Sequence, residues 1–202
     1  MSGEANVGKV ALERRGHVLL IELDRAAKRN AFDLPLWNAV CAAYGELERD
    51  DDLRVGVLHA AGEHFTGGLD LPQWAPVFQS GAFAIPAGGL DPLGLNGPRL
   101  RKPIVAAVQG LCFTIGIELL LATDVRVAAE GVRFAQIEIK RGIYRSVARP
   151  CASRARSAGA TPCAGCSPAT SSAPPRRCAS AWCRRSRPRR RPRSTAPSPS
   201  PR

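Results

Sequence analysis

The sequence lacks any apolar run long enough to cross a membrane, because none approaches the ~18 consecutive apolar residues that such a helix needs. Residues 1–23 carry charges on both sides of a short apolar run and lack the layout of a signal peptide. Cysteine is scarce before residue 145, where Cys41 and Cys112 lie in apolar stretches typical of small buried thiols. These absences favour a cytoplasmic protein.

Residues 145–202 lack Leu, Ile, Phe, Met and Tyr, and they contain 14 Arg but no Asp, Glu or Lys. The net charge of +12 comes from this segment, because residues 1–144 hold 15 basic and 17 acidic side chains. Without large apolar side chains the segment cannot offset the entropy cost of folding, so we expect residues 145–202 to be disordered. Residues 1–144 are interpreted as an ordinary soluble domain.

Two origins are open for this tail. Apart from Val147, every residue in it has codons with G or C at the second position, as expected when a GC-rich gene is translated out of frame. The alternative is a genuine low-complexity basic tail. Cys163 and Cys166, followed by Cys178 and Cys183, resemble zinc-ligand spacing. Five cysteines in a text of Arg, Ala, Pro and Ser produce such spacing by chance, so we expect no metal site.

Short apolar segments bounded by Gly, Pro or charge predict five strands, over residues 17–24, 54–62, 103–110, 124–130 and 132–139. Between the first two, Asp33 can cap a helix and Pro35 suits its first turn. One face of that helix is apolar and consists of Leu36, Val40, Tyr44 and Leu47. A second, buried helix is predicted from near Ile115, and this order of elements predicts an α/β domain.

The connection from Pro72 to Lys102 is rich in Gly and Pro and is predicted to be a long loop, either functional or mobile. Its apolar side chains either line a pocket or pack the loop against the domain; they are Trp74, Val77, Phe78, Phe83 and Ile85.

One carboxylate, Glu118, lies within the apolar segment GLCFTIGIELLLATD (residues 110–124). Burying an unpaired carboxylate is costly, so Glu118 either faces solvent or serves a site. Gly67 and Gly68 form a second glycine turn before an apolar segment. Main-chain N–H groups at such turns, or in the first turn of a helix, have no internal partner and can stabilise a negative oxygen.

Four segments closely resemble the crotonase superfamily, the enoyl-CoA hydratase/isomerase family, in order and spacing: LDRAAKRNAFD, EHFTGGLDL, PIVAAVQGLCFTIGIELLLATDVRVAAE and RFAQIEIKRGIYR. The resemblance runs from about Val10 to Tyr144. It implies an α/β spiral of repeated ββα units, an acyl-CoA thioester substrate and no cofactor besides the coenzyme A of that substrate. It also implies a trimer or a dimer of trimers, although the tail replaces the helices that normally cover the site and build the oligomer.

The resemblance implies that the main-chain N–H groups of Leu69 and Ile115 form an oxyanion hole. Glu118 and Glu138 match the two glutamates that hold a water in hydratases. Glu118 would activate the water and Glu138 would protonate Cα. Thr114 and Ile115 stand where the family commonly has glycine, so the resemblance does not identify the exact substrate.

Lys28 and Ala31 match the segment that borders the nucleotide of coenzyme A, although Lys28 also fits a solvated surface. The matching positions in the two substrate-binding turns are Gly67, Gly68, Asp70 and Gly116. For Asp70 and Asp124 we favour a structural role, and His17, His59 and His64 are interpreted as structural or exposed.

Four functions follow from these patterns. The first is a hydratase of 2-enoyl-CoA thioesters in fatty-acid or related acyl-CoA breakdown, and the second is an isomerase or related acyl-CoA enzyme that uses one glutamate. The third is non-specific nucleic-acid binding through the 14 Arg of the tail. The fourth is an inactive, less stable family member, because the missing helices would leave apolar surface exposed.

Overall fold

The computed structural model describes residues 7–80 and 84–138. The predictions for residues 145–202, which concern disorder, the zinc-like cysteines and nucleic-acid binding, lie outside the described residues.

The strands of the described residues are β1 (Lys9–Arg15), β2 (Val18–Asp24), β3 (Val55–Ala60), β4 (Ile104–Val108), β5 (Leu111–Phe113), β6 (Val125–Ala128) and β7 (Arg133–Ala135). The main sheet has the order β1-β2-β3-β4-β6, in which β1 is antiparallel to β2 and the other pairs are parallel. Alternate residues of β2, β3 and β4 are buried, so one face of the sheet packs on the core. All five predicted strands are present, each shorter than predicted.

Strand β1 was not predicted. Its sequence, KVALERR, is mostly polar and six of its seven residues are exposed. Its place at the edge of the sheet depends on pairing with β2 from Lys9–Asp24 to Arg15–Val18, not on burial of its own side chains. Apolar periodicity therefore gives no signal for it.

Helix α1 (Leu34–Arg49) begins where its cap predicts. The Asp33 carboxylate accepts a hydrogen bond from the Leu36 N–H at 2.8 Å, and Pro35 lies in the first turn. The four residues of the predicted apolar face, Leu36, Val40, Tyr44 and Leu47, are all buried.

Helix α2 (Leu71–Ser80) corrects the prediction of an unbroken loop from residue 72 to 102. Pro72 is compatible with a first turn, but Pro76 removes an internal hydrogen bond and argues locally against a helix. Tertiary packing overrides this preference. Trp74 is buried, its Nε1 donates to the Phe32 carbonyl at 2.8 Å, and its ring packs edge-on against Trp37 at 5.8 Å.

Helix α3 (Ile115–Ala122) begins at the predicted residue, and all its residues except Ala122 are buried. Directly before it, β5 pairs in parallel with β7 to form a small second sheet. In the part of the chain that the structure describes, no helix has the length and apolar character needed to cross a membrane.

Candidate active site

The glycine turn at residues 66–69 lies directly against the start of α3. Gly68 has φ +109°, and a Cβ built on it would lie 2.6 Å from the Thr114 Oγ1. A Cβ on Gly116 would lie 2.5 Å from the Thr66 Cγ2. Both glycines are therefore required, Gly68 by its conformation and both by the close approach of the two segments. Thr66 and Phe113 also join them, because the Phe113 N–H donates to the Thr66 carbonyl at 3.1 Å.

Asn30 fastens the segment from Lys28 to Ala31 against this turn. It is fully buried, its Oδ1 accepts from the Arg25 N–H at 2.7 Å, and its Nδ2 donates to the carbonyls of Ala61 and His64. The carbonyl of Asn30 accepts from the Thr66 hydroxyl at 2.7 Å. Sequence reasoning gave Asn30 no role, because the carbonyls that its side chain contacts, those of Ala61 and His64, are distant in the sequence.

The residue before α3 has an unusual backbone. Thr114 has φ 48° and ψ −108°, a conformation that L residues rarely adopt, and its side chain makes no capping hydrogen bond. Its N–H donates to the Ala135 carbonyl at 3.0 Å, which ties the start of α3 to the end of β7. This anchor fixes the position of the next residue, Ile115.

The main-chain N–H groups of Leu69 and Ile115 have no hydrogen-bond acceptor among residues 7–80 and 84–138. Leu69 pairs in parallel with Phe32, where Phe32 donates to the Gly68 carbonyl and Asp70 donates to the Phe32 carbonyl, each at 2.8 Å. Successive N–H groups of an extended chain point to opposite sides, so the Leu69 N–H points away from Phe32. Ile115 is the first residue of α3, where N–H groups lack a partner within the helix.

Glu118 lies one turn into α3 and only 5% of its surface is exposed. It lines a cavity of about 320 Å³ between α1, the 91–102 segment and α3. The carboxylate therefore lies inside an apolar helix at a position that borders this cavity. Glu118 was predicted either to face solvent or to serve a site. The structure excludes the solvent-facing position, because the side chain is buried beside a cavity.

Glu138 lies three residues after β7 and is half-buried. The bond between Thr114 and Ala135 brings this segment to the start of α3, but Glu138 is not among the described residues that line the Glu118 cavity. Gln136 lies between Ala135 and Glu138 in the sequence. Both polar atoms of its buried amide lack a partner among the described residues. Sequence reasoning gave Gln136 no role.

A buried ion-pair network centred on Arg25 lies beside the Gly67–Gly68 turn. Sequence reasoning gave Arg25 no role. The Arg25 side chain is 2% exposed and contacts the carboxylates of Asp33 at 3.1 Å and Asp70 at 2.8 Å. It also donates to the Ala31 carbonyl at 2.9 Å. Asp70, a candidate substrate contact, therefore pairs with Arg25, and Asp124 accepts from the Ile104 N–H at 2.9 Å.

The remaining candidates differ in their exposure and in their contacts. Lys28 ends a short 3-10 helix and is exposed, while Ala31 is half-buried. His17 Nδ1 lies 2.6 Å from the Asp52 carbonyl, and His59 Nδ1 lies 3.8 Å from a Glu22 oxygen. His64 Nδ1 is buried without a partner among the described residues. Within the same residues, no cluster of three or more His, Cys, Asp or Glu side chains could hold a metal ion.

Comparison with known proteins gives a consistent family. The sequence profile for enoyl-CoA hydratase/isomerase matches residues 13–156. The chain is 37% identical over 138 residues to the enoyl-CoA hydratase EchA19 of Mycobacterium tuberculosis, covering 66% of this chain and 51% of that protein. It is 29% identical over 152 residues to the human mitochondrial Delta(3,5)-Delta(2,4)-dienoyl-CoA isomerase, covering 65% of this chain and 43% of that protein.

Among solved structures, a probable enoyl-CoA hydratase/isomerase from Mycobacterium abscessus superposes with a TM-score of 0.66 at 47% identity. That alignment covers 68% of this chain and 53% of the other. The chain thus spans about half the length of the relatives it matches.

Proposed function

Because this chain belongs to the enoyl-CoA hydratase/isomerase family, we propose that it binds acyl-CoA thioesters and adds water across the double bond of a 2-enoyl-CoA. The observation that carries the proposal is a pair of neighbouring main-chain N–H groups, at Leu69 and Ile115, with no acceptor among the described residues. A buried glutamate, Glu118, lies one turn further along the same helix.

The two N–H groups would donate to the thioester carbonyl oxygen. Hydration places negative charge on this oxygen, because attack at Cβ converts the conjugated thioester to an enolate. Two fixed donors in a site shielded from water stabilise such an enolate, and removing one donor of this kind typically lowers kcat by about 10²–10³-fold. Gly68 and Gly116 allow the close packing that holds the donors together.

The glutamates would move the two protons. In the proposed reaction Glu118 takes a proton from water as the water oxygen bonds to Cβ, and Glu138 gives a proton to Cα as the enolate collapses. Glu118 borders the cavity directly. The assignment of Glu138 is supported by the hydrogen bond from the Thr114 N–H, at the start of α3, to the carbonyl of Ala135, three residues before Glu138.

The coenzyme A part would bind along the segment from Lys28 to Ala31 and the Gly67–Gly68 turn, which are joined by the bond from the Gly67 N–H to the Arg29 carbonyl at 2.8 Å. Lys28 is exposed and supplies a cation for the phosphates. Asp70 would support this segment through its ion pair with Arg25, whose side chain also donates to the Ala31 carbonyl. The proposal assigns the protein a role in fatty-acid breakdown and a cytoplasmic location. It requires no cofactor besides the coenzyme A of the substrate.

Loss of the enoyl absorbance of crotonyl-CoA, measured with the complete chain, tests hydration. We expect wild-type turnover, a loss of about 10²–10⁴-fold in Glu118→Gln, and no change in the matched control Glu46→Gln, since Glu46 is exposed on α1. Turnover that survives in Glu118→Gln would refute the assignment of the base.

Isomerisation of a 3-enoyl-CoA is the second candidate, since Glu138 is absent from the lining of the Glu118 cavity. An isomerase needs one base to carry a proton between two carbons, and Glu118 alone could do so. Conversion of a 3-enoyl-CoA to its 2-enoyl isomer, without hydration of crotonyl-CoA, would favour this reaction. No turnover of either substrate, despite a sharply melting chain, would favour the inactive family member.

A further inference from the structure

The Thr114 hydroxyl points at the glycine turn that carries one of the two proposed donors. Its Oγ1 is 2.6 Å from the position that a Cβ on Gly68 would occupy, whereas its Cβ and Cγ2 are each 3.7 Å from that point. Gly68 directly precedes Leu69, and Thr114 directly precedes Ile115. The hydroxyl therefore belongs to the residue before one donor and packs against the residue before the other.

The same hydroxyl has no hydrogen-bond partner within residues 7–80 and 84–138. Thr114 is 8% exposed, its side chain does not cap α3, and the bond to Ala135 is made by its main-chain N–H. In that part of the chain, the fully enclosed polar atoms without a partner belong to other side chains, so the Thr114 Oγ1 keeps contact with open space. A nearly buried hydroxyl is unfavourable without a partner, which a bound molecule can supply here.

Threonine is an unfavourable residue for this backbone position. A φ of 48° and a ψ of −108° suit glycine, and a residue branched at Cβ adopts them only at a cost in stability. Glycine at residue 114 would avoid that cost and would also remove the close contact with Gly68. Strained residues of this kind cluster at functional sites. Strain, the free hydroxyl and its direction together indicate that the site uses this side chain.

We propose that the Thr114 hydroxyl donates a third hydrogen bond to the thioester carbonyl oxygen, beside the N–H groups of Leu69 and Ile115. A hydroxyl rotates about its C–O bond, so it can turn its hydrogen toward the oxygen that it contacts. Its bond to an enolate oxygen is charge-assisted and stronger than its bond to a neutral thioester. The hydroxyl therefore stabilises the transition state more than the bound substrate. This inference rests on the proposed function, since it assumes that the two N–H groups hold a thioester oxygen.

Steady-state hydration of crotonyl-CoA by the complete chain tests the role of the hydroxyl. Thr114→Val keeps the branched shape but loses the hydroxyl, and Thr114→Ser keeps the hydroxyl. We expect kcat to fall about 10–10²-fold in Thr114→Val, the size of one hydrogen bond to a charged oxygen, with a much smaller change in KM. Thr114→Ser should restore most of the lost kcat. Ser80→Ala, which removes an exposed hydroxyl at the end of α2, should leave kcat unchanged.

Carbon NMR of a saturated acyl-CoA, 13C-labelled at the thioester carbonyl, gives a second readout that needs no turnover. Hydrogen bonds to the oxygen move the carbonyl resonance downfield. We expect this resonance to lie further downfield when the ligand is bound to wild type or Thr114→Ser than when it is bound to Thr114→Val. Urea unfolding verifies that each variant is folded, and Thr114→Ala serves as the hydroxyl-free variant if Thr114→Val does not fold.

Equal kcat and equal carbonyl resonances in wild type and Thr114→Val would overturn the inference and leave the proposed function intact, as expected if the hydroxyl only holds a water. Equal losses in Thr114→Ser and Thr114→Val would overturn it as well, because Thr114→Ser keeps the hydroxyl. If wild type binds acyl-CoA without hydrating crotonyl-CoA, hydration is refuted and the carbonyl resonances alone decide the inference. Absence of binding to every acyl-CoA would refute both.

Discussion

Replacing Thr114 tests the backbone that positions the Ile115 N–H. Its φ of 48° and ψ of −108° lie close to the mirror image of a type II turn position, about +60° and −120°, where glycine dominates. A non-glycine residue held in such a conformation costs about 1–3 kcal/mol. Thr is branched at Cβ, which makes this residue a strong outlier.

A comparison of Thr114→Gly with Thr114→Ala isolates this strain, because both variants lose the buried hydroxyl and methyl group. At ordinary positions glycine is less stable than alanine by roughly 0.5–1 kcal/mol. Relief of about 1–3 kcal/mol of strain reverses that order. We expect the glycine variant to exceed the alanine variant by about 1 kcal/mol in free energy of unfolding.

Urea unfolding followed by circular dichroism measures this difference. A matched pair at the exposed helical position Glu46, Glu46→Gly and Glu46→Ala, should show the ordinary order with alanine more stable. If alanine at residue 114 is as stable as glycine, residue 114 does not have a positive φ. The described start of α3, and with it the direction of the Ile115 N–H, would then be wrong.

Two further predictions concern buried groups. Arg25→Met should cost about 3–5 kcal/mol of unfolding free energy, because Asp33 is left 1% exposed without its cation. The control Arg101→Met should change the unfolding free energy little, because Arg101 is 85% exposed. Equal losses in the two variants would contradict the buried network. Burial, and then the charge of Asp91, raise the pKa of Cys41 to about 12, and burial raises that of Cys112. Peptide mapping after iodoacetamide treatment at pH 8 should therefore find both thiols unlabelled in the native chain and labelled in urea, and rapid native labelling would show that they are not buried.

The sequence predicted the elements whose signals are local. The Asp33 cap and the apolar face give α1, short apolar runs bounded by turns give the five strands, and the unbroken apolar segment gives α3. Helix α2 was missed because Pro76 opposes it locally and the packing of Trp74, which decides it, is tertiary. The crotonase-like α/β fold that the four segments implied is confirmed by the solved relatives.

The candidate site was harder to predict, because its contacts join distant residues. Neither Gly68 nor Thr114 signals that one lies against the other, and only the family resemblance placed Leu69 and Ile115 together. The partner of a buried polar group is equally invisible in a sequence. Tyr44 was predicted as part of the apolar face of α1, and only the structure shows that its buried hydroxyl lacks a hydrogen-bond partner within residues 7–80 and 84–138.

The central claim is that two main-chain N–H groups donate to one thioester oxygen, and amide NMR of the 15N-labelled chain tests it most directly. On addition of an unreactive saturated acyl-CoA, we expect the Leu69 and Ile115 amide protons to move downfield, while the Asp70 amide, already bonded to Phe32, moves little. Saturable binding of the acyl-CoA that leaves the Leu69 and Ile115 amide protons unchanged would contradict the account.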